Sequence, residues 1–387
     1  MWEEKVDIKL PFCRKIVMKI CMIDQRQLKR TKYNILVGIS IMWFCCKEPY
    51  LPPEIANTKN YLVVDGTLHI GSDSTYIMLS RTRSLQDSVP NIPELNAQVE
   101  VIGQNGEQYP LIPMGNGVYA TDYIGLKANE RCQLSIHTAD GKSYLADSIQ
   151  VLSSPPIDSV SWKQDSTSAD SKKGVTIYVA THDPTNSTLY YRWEYIETYE
   201  YHSKYDALMG KFVCWKSRPS TELVLATSAG LRSDLIFEQP LIFIAQGSQS
   251  LGVKYSILVK QTALTKPAYD YFQNLRKNTE LTGSIFDPQP SQSTGNIRCL
   301  NDPAEPVLGY VYASTEQQQR IFIDNDTLAH WGYVIMGCNI IVNPGTTLGL
   351  VFLYQLPPPM GGSAWATLEC ADCTLQGGTT TKPDFWP

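Results

Sequence analysis

Short apolar runs broken by turn dipeptides constrain this chain more than any other feature. "AQVEVIGQNGEQYPLI" sets Asn105-Gly106 between two apolar runs, the strongest short hairpin signal. "CQLSIHTADGKSYLA" repeats the arrangement with Asp140-Gly141, and Cys132, Leu134 and Ile136 alternate there with polar neighbours. "YLVVDGTLHI" and "STYIMLSRT" are further strand-like runs. Strands this short, with turns every 8 to 12 residues or so, predict an all-β sandwich of immunoglobulin-like or prealbumin-like size over residues 61–152. The linker "SSPPIDS" follows.

Residues 157–387 read as a second, larger β-rich domain. "GVTIYVATHDPTNSTLYYRWEYIETYEY" predicts two strands around a turn at Asp183-Pro184. The second strand sorts its residues by face. Tyr191, Trp193, Tyr195, Tyr199 and Tyr201 fall on one side with Glu197, and Arg192, Glu194, Ile196, Thr198 and Glu200 on the other. "TKPAYDYFQNLRKNTELTG" is the one clear amphipathic helix. Thr265 can cap it, Pro267 suits its first turn and Gly283 can end it. Its stripe of Ala268, Tyr271, Phe272 and Leu275 is expected to dock on a sheet.

The N-terminal region addresses the chain. Ile35 to Phe44 is an apolar run too short to span a bilayer but suited to a signal-peptide core, with Lys29, Arg30 and Lys32 before it. It ends at Cys45-Cys46 rather than at a small-residue cleavage site. A cysteine directly after such a run is the diacylglycerol acceptor of bacterial lipoproteins. Cys46 suits that role better than Cys45, which follows bulky Phe44. Residues 1–45 are thus expected to be an N-terminal extension and lipoprotein signal peptide, with Met18 or Met22 the more ordinary start, and residues 46–60 a Pro-bearing tether. Charged content of 18%, 22 Tyr and a net charge of -5 suit an exported β protein, and give no reason to expect nucleic acid.

The segments "YLVVDGTL", "YYRWEYIETYEY", "YSILVKQTAL…AYDYFQNL", "GSIFDPQPSQSTGNI", "EPVLGYVYAS…RIFI" and "CADCTLQGG…KPDFWP" occur in this order. Together they resemble domain-of-unknown-function family 4249 of Bacteroidota lipoproteins, over nearly all of residues 46–387. The resemblance implies a lipid-anchored outer-membrane protein on the periplasmic face or the cell surface. It also implies an N-terminal immunoglobulin-like domain and a TonB-dependent outer-membrane receptor as partner. No chemistry comes with it.

The residues themselves supply little chemistry. The five His lack zinc-protease spacing, and no nucleophile elbow or phosphate loop appears. No metal and no cofactor are expected. Glu194 and Glu200 read as a polar strand face. Glu197 lies among aromatics, where a carboxylate must be hydrogen-bonded or line a cleft. Trp193, Glu197 and Tyr199 are therefore candidate binding residues, as are Asp287 and Asn296 in the loop "FDPQPSQSTGNIRC".

After Cys46, six cysteines remain, at 132, 214, 299, 338, 370 and 373. A long-range disulfide from Cys370 or Cys373 to Cys214 or Cys299, both in family-like segments, is expected. A local Cys370–Cys373 bridge and free thiols are the alternatives. Phe385 and Trp386 in the tail are expected to pack back onto the domain. Two functions follow as expectations: a non-catalytic binding or accessory subunit of a TonB-dependent uptake receptor, or a lipid-anchored glycan or peptide hydrolase with an unrecognised site.

Overall fold

The computed structural model describes residues 60–71, 73–83, 92–165, 173–208, 210–280, 295–328, 331–333, 335 and 337–387. Cys46, the tether up to residue 59 and Asp287 lie outside them. The described chain falls in one compact unit, residues 59–387. It is mainly β, with one α-helix among the described residues.

The first sheet has eleven strands among the described residues. Gln98–Gly103 and Gln108–Gly115 pair antiparallel across the Asn105-Gly106 turn, where Gly106 takes a φ of 90° that residues with a Cβ rarely adopt. Arg131–His137 and Ser143–Ala146 pair across Asp140-Gly141 in the same way. Cys132, Leu134 and Ile136 are buried on the inner face, against Leu62, Val64, Ile77, Val101 and Val151.

This sheet does not stop at residue 152. Ile297–Cys299 adds to Ser143–Ala146, and Ala313–Ser314 lies parallel between Leu62–His69 and Ile149–Leu152. The returning chain satisfies backbone groups along Leu62–His69, through bonds such as Val64 N–H to Leu308 C=O and Leu68 N–H to Tyr312 C=O. Gly309 permits the approach, since a Cβ there would sit 1.9 Å from the Val64 oxygen. The expected boundary between 152 and 157 therefore fails for residues 295–314. These pairings join segments more than 150 positions apart, and local patterning carries no trace of them.

Two further sheets enclose a second core. Ile157–Asp165, Gly174–His182 and Leu235–Ala245 form one. The other is Val213–Pro219, Tyr190–His202, Lys254–Ala263 and Glu316–Asp324, with Val224–Thr227 also on Tyr190–His202. Tyr191, Trp193, Tyr195, Tyr199 and Tyr201 all face this core, as the alternation requires. The helix Lys266–Glu280 starts with the Thr265 hydroxyl accepting from Ala268 N–H. It buries Ala268 and Phe272 against Leu225, Leu264 and Tyr312.

The turn after Gly174–His182 is organised by Asp183. Its carboxylate accepts from the backbone N–H of Thr185, Ser187 and Thr188 and from the hydroxyls of Thr185 and Ser187. Burial pushes its pKa up, but these bonds outweigh burial and hold it well below the usual carboxylate range. A depressed folded pKa contributes stability above the ordinary value and loses it as pH falls through the folded value. Asp183→Asn should cost about 1–3 kcal/mol at neutral pH. The gap to the parent should narrow only in strong acid, as denaturant midpoints measured across pH would read.

A small sheet of Ile341–Val342, Ser363–Thr367 and Leu350–Gln355 closes the fold, with a bulge between Phe352 and Tyr354. Two disulfides anchor it. Cys214 bonds Cys373 across 159 positions, with Cα atoms 5.8 Å apart, and Cys338 bonds Cys370 across 32. Cys299 is not a bridge partner: it is buried and free in the first core, beside Tyr144, while Cys370 is taken by Cys338. The tail then lies on the five-stranded sheet. Trp386 is buried against Phe322, its indole N–H donates to Glu200, and the Arg320 guanidinium covers the Phe385 ring at 3.5 Å.

Candidate functional site

Glu197 projects from Tyr190–His202 into the second core and is 3% exposed. Arg218, directly across the ladder on Val213–Pro219, donates from Nε at 2.7 Å and from Nη2 at 3.3 Å. The Tyr255 hydroxyl donates to Oε1 at 3.0 Å. The Glu197 carboxylate raises the pKa of Arg218, and burial pushes that of Tyr255 well up. The guanidinium also lies over the Tyr199 ring, 5.7 Å from its centre. Trp193 is fully buried, and its indole donates to Gln261, which in turn donates to the Pro155 carbonyl and the Thr181 hydroxyl. Trp193, Glu197 and Tyr199 thus fill a core, and partners within the protein satisfy Trp193 and Glu197. The reading of them as ligand contacts gives way to a structural one, because the face they occupy is closed by a second sheet.

Asn296 spends its amide on the fold. Its Nδ2 donates to the Val311 carbonyl and its Oδ1 accepts from Val311 N–H, while its own carbonyl accepts from Asp147. It clamps the returning chain to the first sheet.

A cluster of charged side chains lies elsewhere. A cleft of about 610 Å³ opens at one end of the first sheet, lined by Asn60, Arg81, Glu94, Asp140, Lys142 and Glu305 among others. Arg81 ends the strand Thr75–Arg81, and Ile92–Pro93 pairs beside it, which delivers Glu94 to Arg81 Nε at 2.5 Å. The Asp140-Gly141 turn brings in Asp140, 3.7 Å from Arg81 Nη2, and Lys142. Glu305 comes from the returning chain. It accepts from Lys142 Nζ at 2.6 Å and from the Tyr144 hydroxyl at 2.8 Å, and lies 3.8 Å from Arg81 Nη1.

Neighbouring groups hold Asp140, Lys142 and Arg81 in their charged forms. The Thr138 hydroxyl donates to Asp140 and lowers its pKa, and the bond to Glu305 raises that of Lys142. Burial acts against the charge on Arg81, but Glu94 and Tyr144 more than compensate. Each shift moves its group away from neutral pH, the opposite of what a general acid or base needs. Glu94, Asp140 and Glu305 pair with the two cations, Asp302 is a fourth carboxylate on the lining, and the half-exposed Asp140 and Lys142 stand at the rim, where a polar partner can exchange ion pairs with them. Among the described residues no group of three or more His, Cys, Asp or Glu is placed to hold a metal ion. No helix among them is long and apolar enough to cross a membrane. Sequence reasoning missed Arg81, Glu94, Lys142 and Glu305, and read Asp140 only as a turn residue. Nothing in their spacing links them.

Fold and cleft together define a mainly β protein with a charged cleft at one end of its largest sheet. Within that class the chain belongs to the family described as Domain of unknown function (DUF4249), which residues 47–320 match. No curated protein matches it. Among solved structures it is similar to a Salmonella alpha-2-macroglobulin mutant at 12% identity and a TM-score of 0.17, over 57% of this chain and 15% of that one. A likeness at that score carries no argument.

Proposed function

We propose that this chain is a lipid-anchored outer-membrane protein, attached through Cys46, that serves as a non-catalytic binding or accessory subunit of a TonB-dependent receptor in nutrient uptake. The observation that carries the reading is where the charged cleft meets the chain. The Asn60 carbonyl accepts from Arg81 at the cleft wall. Asn60 lies fourteen positions after Cys46. Such a segment reaches at most about 50 Å when fully extended. An acyl anchor at Cys46 would therefore keep the cleft within that reach of the bilayer, where a membrane-embedded receptor presents its surface. The ion pairs at the cleft rim suit recognition of a polar partner.

Cys46→Ala should release the protein from membranes and Cys45→Ala should leave it attached, as fractionation reads directly. Retention of the Cys46 variant removes the anchor. Mild cross-linking before detergent extraction should then trap a β-barrel receptor on the parent and not on an Arg81→Glu/Lys142→Glu variant. Equal capture by both takes the cleft out of the interface. Turnover of a glycan or peptide that persists through purification to homogeneity replaces this reading with a hydrolase.

A further inference from the structure

We propose that the small disulfide-anchored sheet is the surface through which two copies of this chain pair, edge to edge, along Leu350–Gln355. The proposal stands apart from the receptor reading, since this sheet lies beyond the residues that match the family.

The first observation is charge. Residues 327–368 contain no Asp, Glu, Lys or Arg, in a chain that is 18% charged. The surface of the sheet is correspondingly apolar. Leu348 is 91% exposed and Met360 75%, and Val342, Phe352 and Tyr354 are exposed as well. Depletion of charge with enrichment of aromatic residues and Met is the composition of an interface centre.

The second observation is the backbone. Leu350–Gln355 is hydrogen-bonded to Ser363–Thr367 on one side only. Among the described residues no other strand pairs with its free edge. Folded proteins usually blunt such an edge with Lys, Pro or a bulge. "LVFLYQ" has neither Lys nor Pro, and the irregularity between Phe352 and Tyr354 is its one such device. The Cys338–Cys370 bridge holds the two ends of the segment together, so the edge is presented on a constrained frame.

Both observations favour a second copy. The chain carries a net charge of -5, so two copies repel over most of their surface and least across a charge-free face. An edge strand placed antiparallel to itself about a two-fold axis satisfies the free N–H and C=O groups of both copies, and apolar side chains meet their own kind with no charge left unpaired. A lipid surface fits less well, because the face offers no Lys or Arg to anionic headgroups.

Sedimentation of the full chain across a concentration series tests this. A monomer–dimer equilibrium is expected, with amide exchange at residues 350–355 slowing as concentration rises. Phe352→Lys and Tyr354→Lys should each weaken dimerisation at least tenfold, because each places like charges across the two-fold. Ile112→Lys, on the exposed face of the first sheet, should leave it unchanged. Circular dichroism identifies a variant that has failed to fold, and the exchange reading on the parent then decides. A monomer at every concentration, a dimer indifferent to both edge lysines, or one lost equally with Ile112→Lys overturns the proposal. So does a monomer that instead sediments with zwitterionic vesicles.

Discussion

Removing the Cys214–Cys373 bridge by paired alanine substitution should lower the unfolding free energy by roughly 2–5 kcal/mol. The two cysteines are separated by 159 positions, so the bridge removes a large share of the unfolded chain's freedom. Both sulfurs are fully buried, and the bond ties the strand Val213–Pro219 to the segment carrying the tail. Its loss should also loosen the seat of Trp386, which lies thirteen positions beyond Cys373 and donates to Glu200 on the sheet. Denaturant midpoints with and without reductant would show it: the oxidised variant should lie below the oxidised parent, and reductant should lower the parent further than the variant, which has only the Cys338–Cys370 bridge left to lose. An unchanged midpoint in the variant sinks the idea. Cys132 and Cys299 supply an internal control. Both are free and buried, and burial pushes the Cys132 thiol up to about 12. They should react with thiol reagents only after unfolding.

Glu197→Ala should cost about 3–5 kcal/mol, the range for breaking a buried pair from one side. The Tyr255 hydroxyl, on a fully buried residue, would be left without its acceptor. Arg218 is half exposed and can turn toward water, which favours the lower end of the range. Glu194→Ala on the same strand is the contrast. Glu194 pairs with Arg192 from a half-exposed position, and such pairs contribute about 1 kcal/mol or less. Thermal or chemical unfolding of the two variants side by side separates them. Equal losses, or a Glu197 variant within 1 kcal/mol or so of the parent, would mean that the buried node does not tie together the three neighbouring strands that carry Arg218, Glu197 and Tyr255. Neither substitution should affect receptor cross-linking, because neither residue lines the cleft.

The sequence by itself determined what lies within a few residues. Turn dipeptides set the hairpins at Asn105-Gly106 and Asp140-Gly141, because positive φ is tolerated there and in few other places. Period-two alternation assigned the faces of Tyr190–His202, since side chains on a strand must point to opposite sides. Thr265, Pro267 and the apolar stripe marked the helix. Whether Glu197 closed a core or opened a cleft was beyond such signals, because the answer depends on Arg218 and on the sheet facing it. The tertiary structure alone decided the return of residues 307–314 to the first sheet, the choice of Cys338 over Cys299, and the meeting of Arg81, Glu94, Asp140, Lys142 and Glu305. Each of these joins distant segments through unpaired backbone, a sulfur or a charge, and none leaves a period or a spacing in the chain.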